Sequence, residues 1–165
     1  ITDSEVTPAL LLLANSFFIG VFIVSYDVAA STLFLDTFGN EYLTRLPIFS
    51  GILGMISTSI FAYFQRKISF TSLTLYAFGI ITMLVTALFI GLSLTHSNVL
   101  KFVSYLFLGP FNAVLLLCFY GTVARSFSLK REKHMTGTVD QGQMIATAIA
   151  YFTIPFISGY VQDIT

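Results

Sequence analysis

Residues 8–35 read PALLLLANSFFIGVFIVSYDVAASTLFL, an apolar run broken by a single charge, Asp27. A helix needs about 20 apolar residues to cross the hydrocarbon core of a bilayer. This run is longer, so a spanning helix here must tilt or protrude. Thr7 and Pro8 suit a helix cap and a first turn, because a proline there loses no hydrogen bond. A membrane barrel strand is a poor reading, since no segment alternates apolar and polar residues over about ten positions.

Further runs follow at residues 47–63, 71–94, 99–124 and 143–161, with Lys101 near the start of one and Pro155 inside the last. The expected fold is therefore all-α: a polytopic transmembrane helical bundle of about five spans, treated as one domain over residues 1–165. Composition agrees. The chain is 56% hydrophobic and 10% charged, whereas soluble domains carry about 25% charged residues. Its net charge is zero, so no basic field draws nucleic acid. Cys118 is the single cysteine and lies inside an apolar run, which reads as packing. His96 and His134 stand apart from each other and from any cysteine, so no metal or cofactor site is expected. The chain starts at Ile1, without a signal-peptide pattern, and reads as a piece of a longer protein.

Lysine and arginine in short loops set orientation. Arg66 and Lys67 follow the second run; Arg125, Lys130, Arg131 and Lys133 follow the fourth. The opposite loops hold Arg45 and Lys101 beside Asp36 and Glu41. Loops 64–70 and 125–137 are therefore expected on the cytoplasmic side, together with the N-terminus, in a multi-pass integral membrane protein.

Several residues are chemically out of place. In the first run, Ser16, Gly20, Ile23, Asp27 and Ser31 share one helical stripe, and Asn15, Ile19, Phe22 and Tyr26 a neighbouring one. A carboxylate at a helix centre costs about 2.5–3.5 kcal/mol on insertion scales and normally faces a partner or a wet cavity. Asp27 falls toward the outer third of its run, so a shallow interfacial position is the competing reading. In the second run Pro47, Ser50, Gly51, Gly54, Ser57 and Thr58 form a small-residue face suited to close helix packing. The fourth run contains LGPFNAV (residues 108–114), where Pro110 frees a carbonyl and Asn112 adds an amide. Such breaks line cavities in transporters and also occur as plain bends.

Residues 125–144, RSFSLKREKHMTGTVDQGQM, gather the remaining polarity. Thr136 or Thr138 would cap the fifth helix, and Asp140 in its first turn would offset the helix dipole. Asp140 and Gln143 are three apart and share a face. With Arg125, Lys130 and Arg131 they form a candidate cytoplasmic gate or anion rim. Asn15, Tyr26, Asp27 and Asn112 are the candidate solute-binding residues.

Two stretches also carry a family resemblance. NSFFIGVFIVSYDVAASTLFL (residues 15–35) leads into YLTRLPIFSGILGMISTSIFAYFQRKISF (42–70), and the fourth run ends in VARSFSLKREKHMTGTVDQGQMIATAIA (123–150). The last resembles the ATP/ADP antiporter (nucleotide transporter) family, at an arginine–phenylalanine step and a basic pair ahead of a glycine-spaced helix. Arg125, Phe127, Lys130, Gly137 and Gly142 match that pattern; Asp140 and Gln141 stand where small residues are usual, and Asp27 occupies the first helix in place of a lysine. The resemblance implies a major facilitator-like fold, of which this chain would be helices one to five of the N-terminal half. It implies alternating-access transport of a small polar or anionic solute, with nucleotide exchange as the narrowest form. The partners would be the lipid bilayer, that solute, and the remaining half of the transporter or other membrane subunits. The alternative is a non-transporting membrane anchor, sensor module or subunit of a larger membrane complex. An enzyme is not expected, because no nucleophile–base cluster is present.

Overall fold

The structure, a computed structural model, describes residues 3–39, 45–95, 97–126 and 143–154, with the side chains of residues 3–9 and 126 left aside. The described residues form α1 (Asp3–Phe38), α2 (Leu46–Gln65), α3 (Phe70–Thr95), α4 (Asn98–Leu106) and α5 (Leu108–Ser126), and then α6 (Gln143–Ile154). No strand occurs among them. Four stretches are long and apolar enough to cross a membrane: Leu10–Phe38, Leu46–Gln65, Phe70–Thr95 and Asn98–Arg125, the last combining α4 and α5. The chain is an all-α integral membrane protein.

These helices match the first four expected spans to within a few residues, except at the start. α1 begins at Asp3 rather than at Pro8. A proline this near the helix end removes only one ladder bond, to the Ser4 carbonyl, and leaves that carbonyl within reach of the aqueous interface. Of the fifth expected span, α6 covers the first part; residues 155–161 lie outside the described residues, as do Thr136 and Thr138.

The chain packs as two units, Asp27–Cys118 and Ile1–Tyr26 with Phe119–Thr165. Within the first, α2 packs against α3 and α4, and α3 against α4. One apolar cluster joins Phe34 of α1, Leu46 of α2 and Tyr105 of α4, with Phe38 and Leu108 against it. Phe34 stacks on Phe38 at 4.8 Å and meets Tyr105 at 4.9 Å between ring centroids. A second cluster joins Phe61, Leu73 and the buried Cys118, with Val114 and Ala77 packed on it. In the second unit, α1 and α6 approach closely. A Cβ on Gly20 would stand 3.0 Å from the Gln143 carbonyl oxygen and 3.1 Å from the Ala146 Cβ, so a side chain at Gly20 would push the helices apart.

The small-residue face of α2 is narrower than its sequence predicts. Ser50 and Gly54 are buried, in a row with Leu46 and Phe61. Gly51 and Pro47 are exposed, and nothing approaches Gly51 within 4 Å. The buried row follows the i, i+4 ridge that packs helices in pairs, and Gly51 sits one position off it.

Candidate functional site

Many polar side chains of the described spans bond back to their own helix. Thr86, Ser93 and Ser104, for example, donate to the carbonyl four residues earlier at 2.8–2.9 Å. Two places in the Asp27–Cys118 unit differ.

The first is the break between α4 and α5. Phe107 interrupts the helix, its N–H still reaching the Val103 carbonyl at 3.1 Å. Pro110 has no N–H to offer the Leu106 carbonyl. The Ser50 hydroxyl, 56 residues away, donates to that carbonyl at 3.1 Å. The same oxygen accepts the Gly109 N–H at 2.7 Å. One hydroxyl from α2 thus repairs both groups released by the break. Of the two sequence readings, a cavity-lining break and a plain bend, the Ser50 bonds favour the plain bend. The repair needs the two backbones in close approach, and glycines allow it. A Cβ on Gly109 would collide with the Ser50 carbonyl, and one on Gly54 would stand 3.3 Å from the Gly109 carbonyl group. Asn112 follows one turn later and is half-buried.

The second place is Asp27. The candidate span Leu10–Phe38 of α1 contains Asp27, and a carboxylate is costly within hydrocarbon. Asp27 is half-buried, three residues from the buried Val24 and Ala30, hence on the packed side of α1. The Ser31 hydroxyl donates to Asp27 Oδ1 at 3.2 Å, and Tyr105 of α4 lies within electrostatic reach. Nearer the end of α1, the Lys101 ammonium of α4 donates to the Thr37 hydroxyl at 2.9 Å. The expected interruption of the fourth span by Lys101 is thereby resolved: its long side chain carries the charge to the end of α1.

The remaining candidates fall in the other unit or beyond the described residues. Asn15 is half-buried beside the fully buried Ser16. Tyr26, also half-buried, stacks with Phe22 at 6.1 Å. Arg125 is exposed and donates to the Gly121 carbonyl of its own last turn at 3.4 Å, where a cation favours the helix C-terminus. Gln143 opens α6, and its buried Oε1 has no hydrogen-bond donor. Lys130, Arg131 and Asp140 lie outside the described residues.

Sequence reasoning had singled out Ser50, Gly54, Gly109 and Pro110, yet not their convergence. A serine on a small-residue face is the only signal for it, and many such serines bond to their own helix instead. Tyr105 as a neighbour of Asp27 had no signal at all. Comparison with protein-family models, curated proteins and solved structures finds no match.

Proposed function

We propose that this chain belongs to the membrane-embedded part of a secondary transporter for a small polar or anionic solute, in the manner of a major facilitator half. The observation that supports it is Asp27. Asp27 is a half-buried carboxylate within an apolar candidate span, with the Ser31 hydroxyl donating to it at 3.2 Å and Tyr105 within electrostatic reach. Intramembrane carboxylates held in this way belong to solute or ion pathways. In this reading Asp27 and Asn112, with Asn15 and Tyr26, face the pathway, and Arg125, Lys130, Arg131, Asp140 and Gln143 form its cytoplasmic rim. Loops 64–70 and 125–137 and the N-terminus are cytoplasmic. A nucleotide is the specific cargo implied by the resemblance of residues 123–150.

A specific observation also favours the second reading, a non-transporting anchor, sensor or subunit. The α4–α5 break is sealed by Ser50 rather than opened toward a solute. Reconstitution of the protein in proteoliposomes and uptake of labelled nucleotides and smaller anions decides between the two. The transport reading expects uptake that falls at least about tenfold in Asp27→Asn, equivalent to about 1.4 kcal/mol of coupling. Absence of uptake for every anion tried, or uptake unchanged in both Asp27→Asn and Arg125→Ala, supports the anchor reading.

A further inference from the structure

Two apolar hollows flank one ridge of α2. The first, about 250 Å³, lies between α2, α3 and α5 and is floored by Phe61, Ala77, Pro110 and Val114. The second runs along the outer face of α2, past Met55, Ile56, Ser59 and Tyr63. Ile60 and Phe64 belong to both and form the ridge between them. The ridge is exposed, as are Tyr76 and Ile80 across the first hollow. α2 and α3 are both long and apolar enough to cross a membrane, and the apolar openings on their exposed surface suit contact with lipid.

Three features point to a specific occupant. The first hollow is lined on α3 from Leu73 to Leu84. At 1.5 Å per residue that is about 16 Å, close to half of a hydrocarbon core about 30 Å thick, or one acyl tail in one leaflet. The hollow is also nearly all apolar, so the phosphates or base of a nucleotide would go unpaired in it.

Next, both hollows end at Phe64, just before the α2–α3 turn that carries Arg66 and Lys67. That turn is tightly built. Lys67 N–H donates to the Phe64 carbonyl at 2.9 Å, and the Lys67 ammonium sits 4.5 Å over the Tyr63 ring. The Ser69 and Ser72 hydroxyls lie 2.8 Å apart at the start of α3.

Finally, the sequence holds no carboxylate between Glu41 and Glu132, so α2, α3 and their turn offer these two cations no acidic partner. A topology anchor accounts for the charges alone; it does not account for a tail-length groove and a second apolar face that both end at Phe64 beside them.

We propose that this surface holds one two-tailed anionic phospholipid. One tail fills the α2–α3–α5 groove, the other lies along the outer face of α2, and the phosphate rests on Arg66 and Lys67 beside Ser69. The site is independent of any transported solute. Basic residues at a membrane surface each strengthen anionic-lipid binding by an amount that makes the pair worth about thirtyfold in affinity.

The test is native mass spectrometry of the delipidated protein in neutral detergent, titrated with phosphatidylglycerol and with phosphatidylcholine of identical tails. One phosphatidylglycerol should bind in preference to phosphatidylcholine. Arg66→Gln with Lys67→Gln should remove about thirtyfold of that affinity, and Ala77→Phe, which fills the groove, should weaken both lipids. Single-tailed lysophosphatidylglycerol should bind more weakly than the two-tailed form. Equal binding of the two headgroups, full affinity in the double variant, or competition by inorganic phosphate would each overturn the site. The double variant lies on an exposed turn, so it carries the test even if Ala77→Phe fails to fold.

Discussion

Ser50 and Asp27 are both polar groups held inside the membrane part of the Asp27–Cys118 unit, and they are treated in opposite ways. Ser50 is 5% exposed, and its one hydroxyl satisfies a carbonyl and an N–H across a helix break. Its one donor and one of its two acceptor positions are used in holding the helices together. Asp27 is half-buried, accepts a hydrogen bond from Ser31 of its own helix and lies within electrostatic reach of Tyr105 on α4. The contrast separates polarity that ties two helices together from a charge set within an apolar span. Only the second kind is a reason to expect function, because the first has its full explanation in packing.

This contrast can be broken experimentally. The largest effect is expected from Gly109→Ala. Its new methyl would meet the Ser50 backbone, and rigid backbone cannot yield as a side-chain tip does, so a loss of about 3 kcal/mol is expected, at the upper end for overpacking. Thermal unfolding in detergent, followed by circular dichroism, measures it; a wild-type melting curve would mean that α2 and α5 are not held at this distance.

Asp27→Asn comes next and should split two readouts. Uptake should fall at least about tenfold, while thermal stability holds or rises, because an amide is less costly to bury than a carboxylate. A clear drop in stability would move Asp27 into the same class as Ser50.

Ser50→Ala strands the Leu106 carbonyl and the Gly109 N–H. Hydrogen bonds between helices in membranes are modest, so about 1 kcal/mol of stability should be lost. A simultaneous gain in solute uptake would show that the sealed break is a gate. The smallest effect, about 0.5 kcal/mol, is expected from Gly54→Ala, whose methyl would sit 3.3 Å from Gly109 and needs only a small shift. Gly51→Ala, with open space around it, is the matched control and should change nothing measurable.

Gly51 and Gly54 also show how far the sequence could be read. Both belong to one run of small residues, and hydropathy does not separate them. Only Gly54 packs, since the partner's angle of approach selects a single ridge. The Lys101–Thr37 bond spans 64 residues, and the Phe34–Tyr105 contact likewise joins helices far apart in the chain. In a soluble helix an apolar stripe would announce such a face. Here every face is oily, so α1 carries no stripe that marks Asp27's neighbours in advance.

What the sequence alone determined is the set of elements. Long apolar runs must become helices in lipid, because every backbone polar group has to be satisfied within its own segment. Hence the spans formed by α1, α2, α3 and the α4–α5 pair, read as one run, were legible from hydropathy, turn residues and length, and so was the anomaly of Asp27. What only the tertiary structure decided is which helix faces meet. Lipid tails are as apolar as leucine and supply no hydrophobic drive between helices, so pairing rests on shape and on single hydrogen bonds. The choice of Ser50 as the partner of Gly109 and Leu106, rather than Ser57 or Thr58 on the same helix, is a matter of register and distance. Neither of these is written in any local stretch of residues.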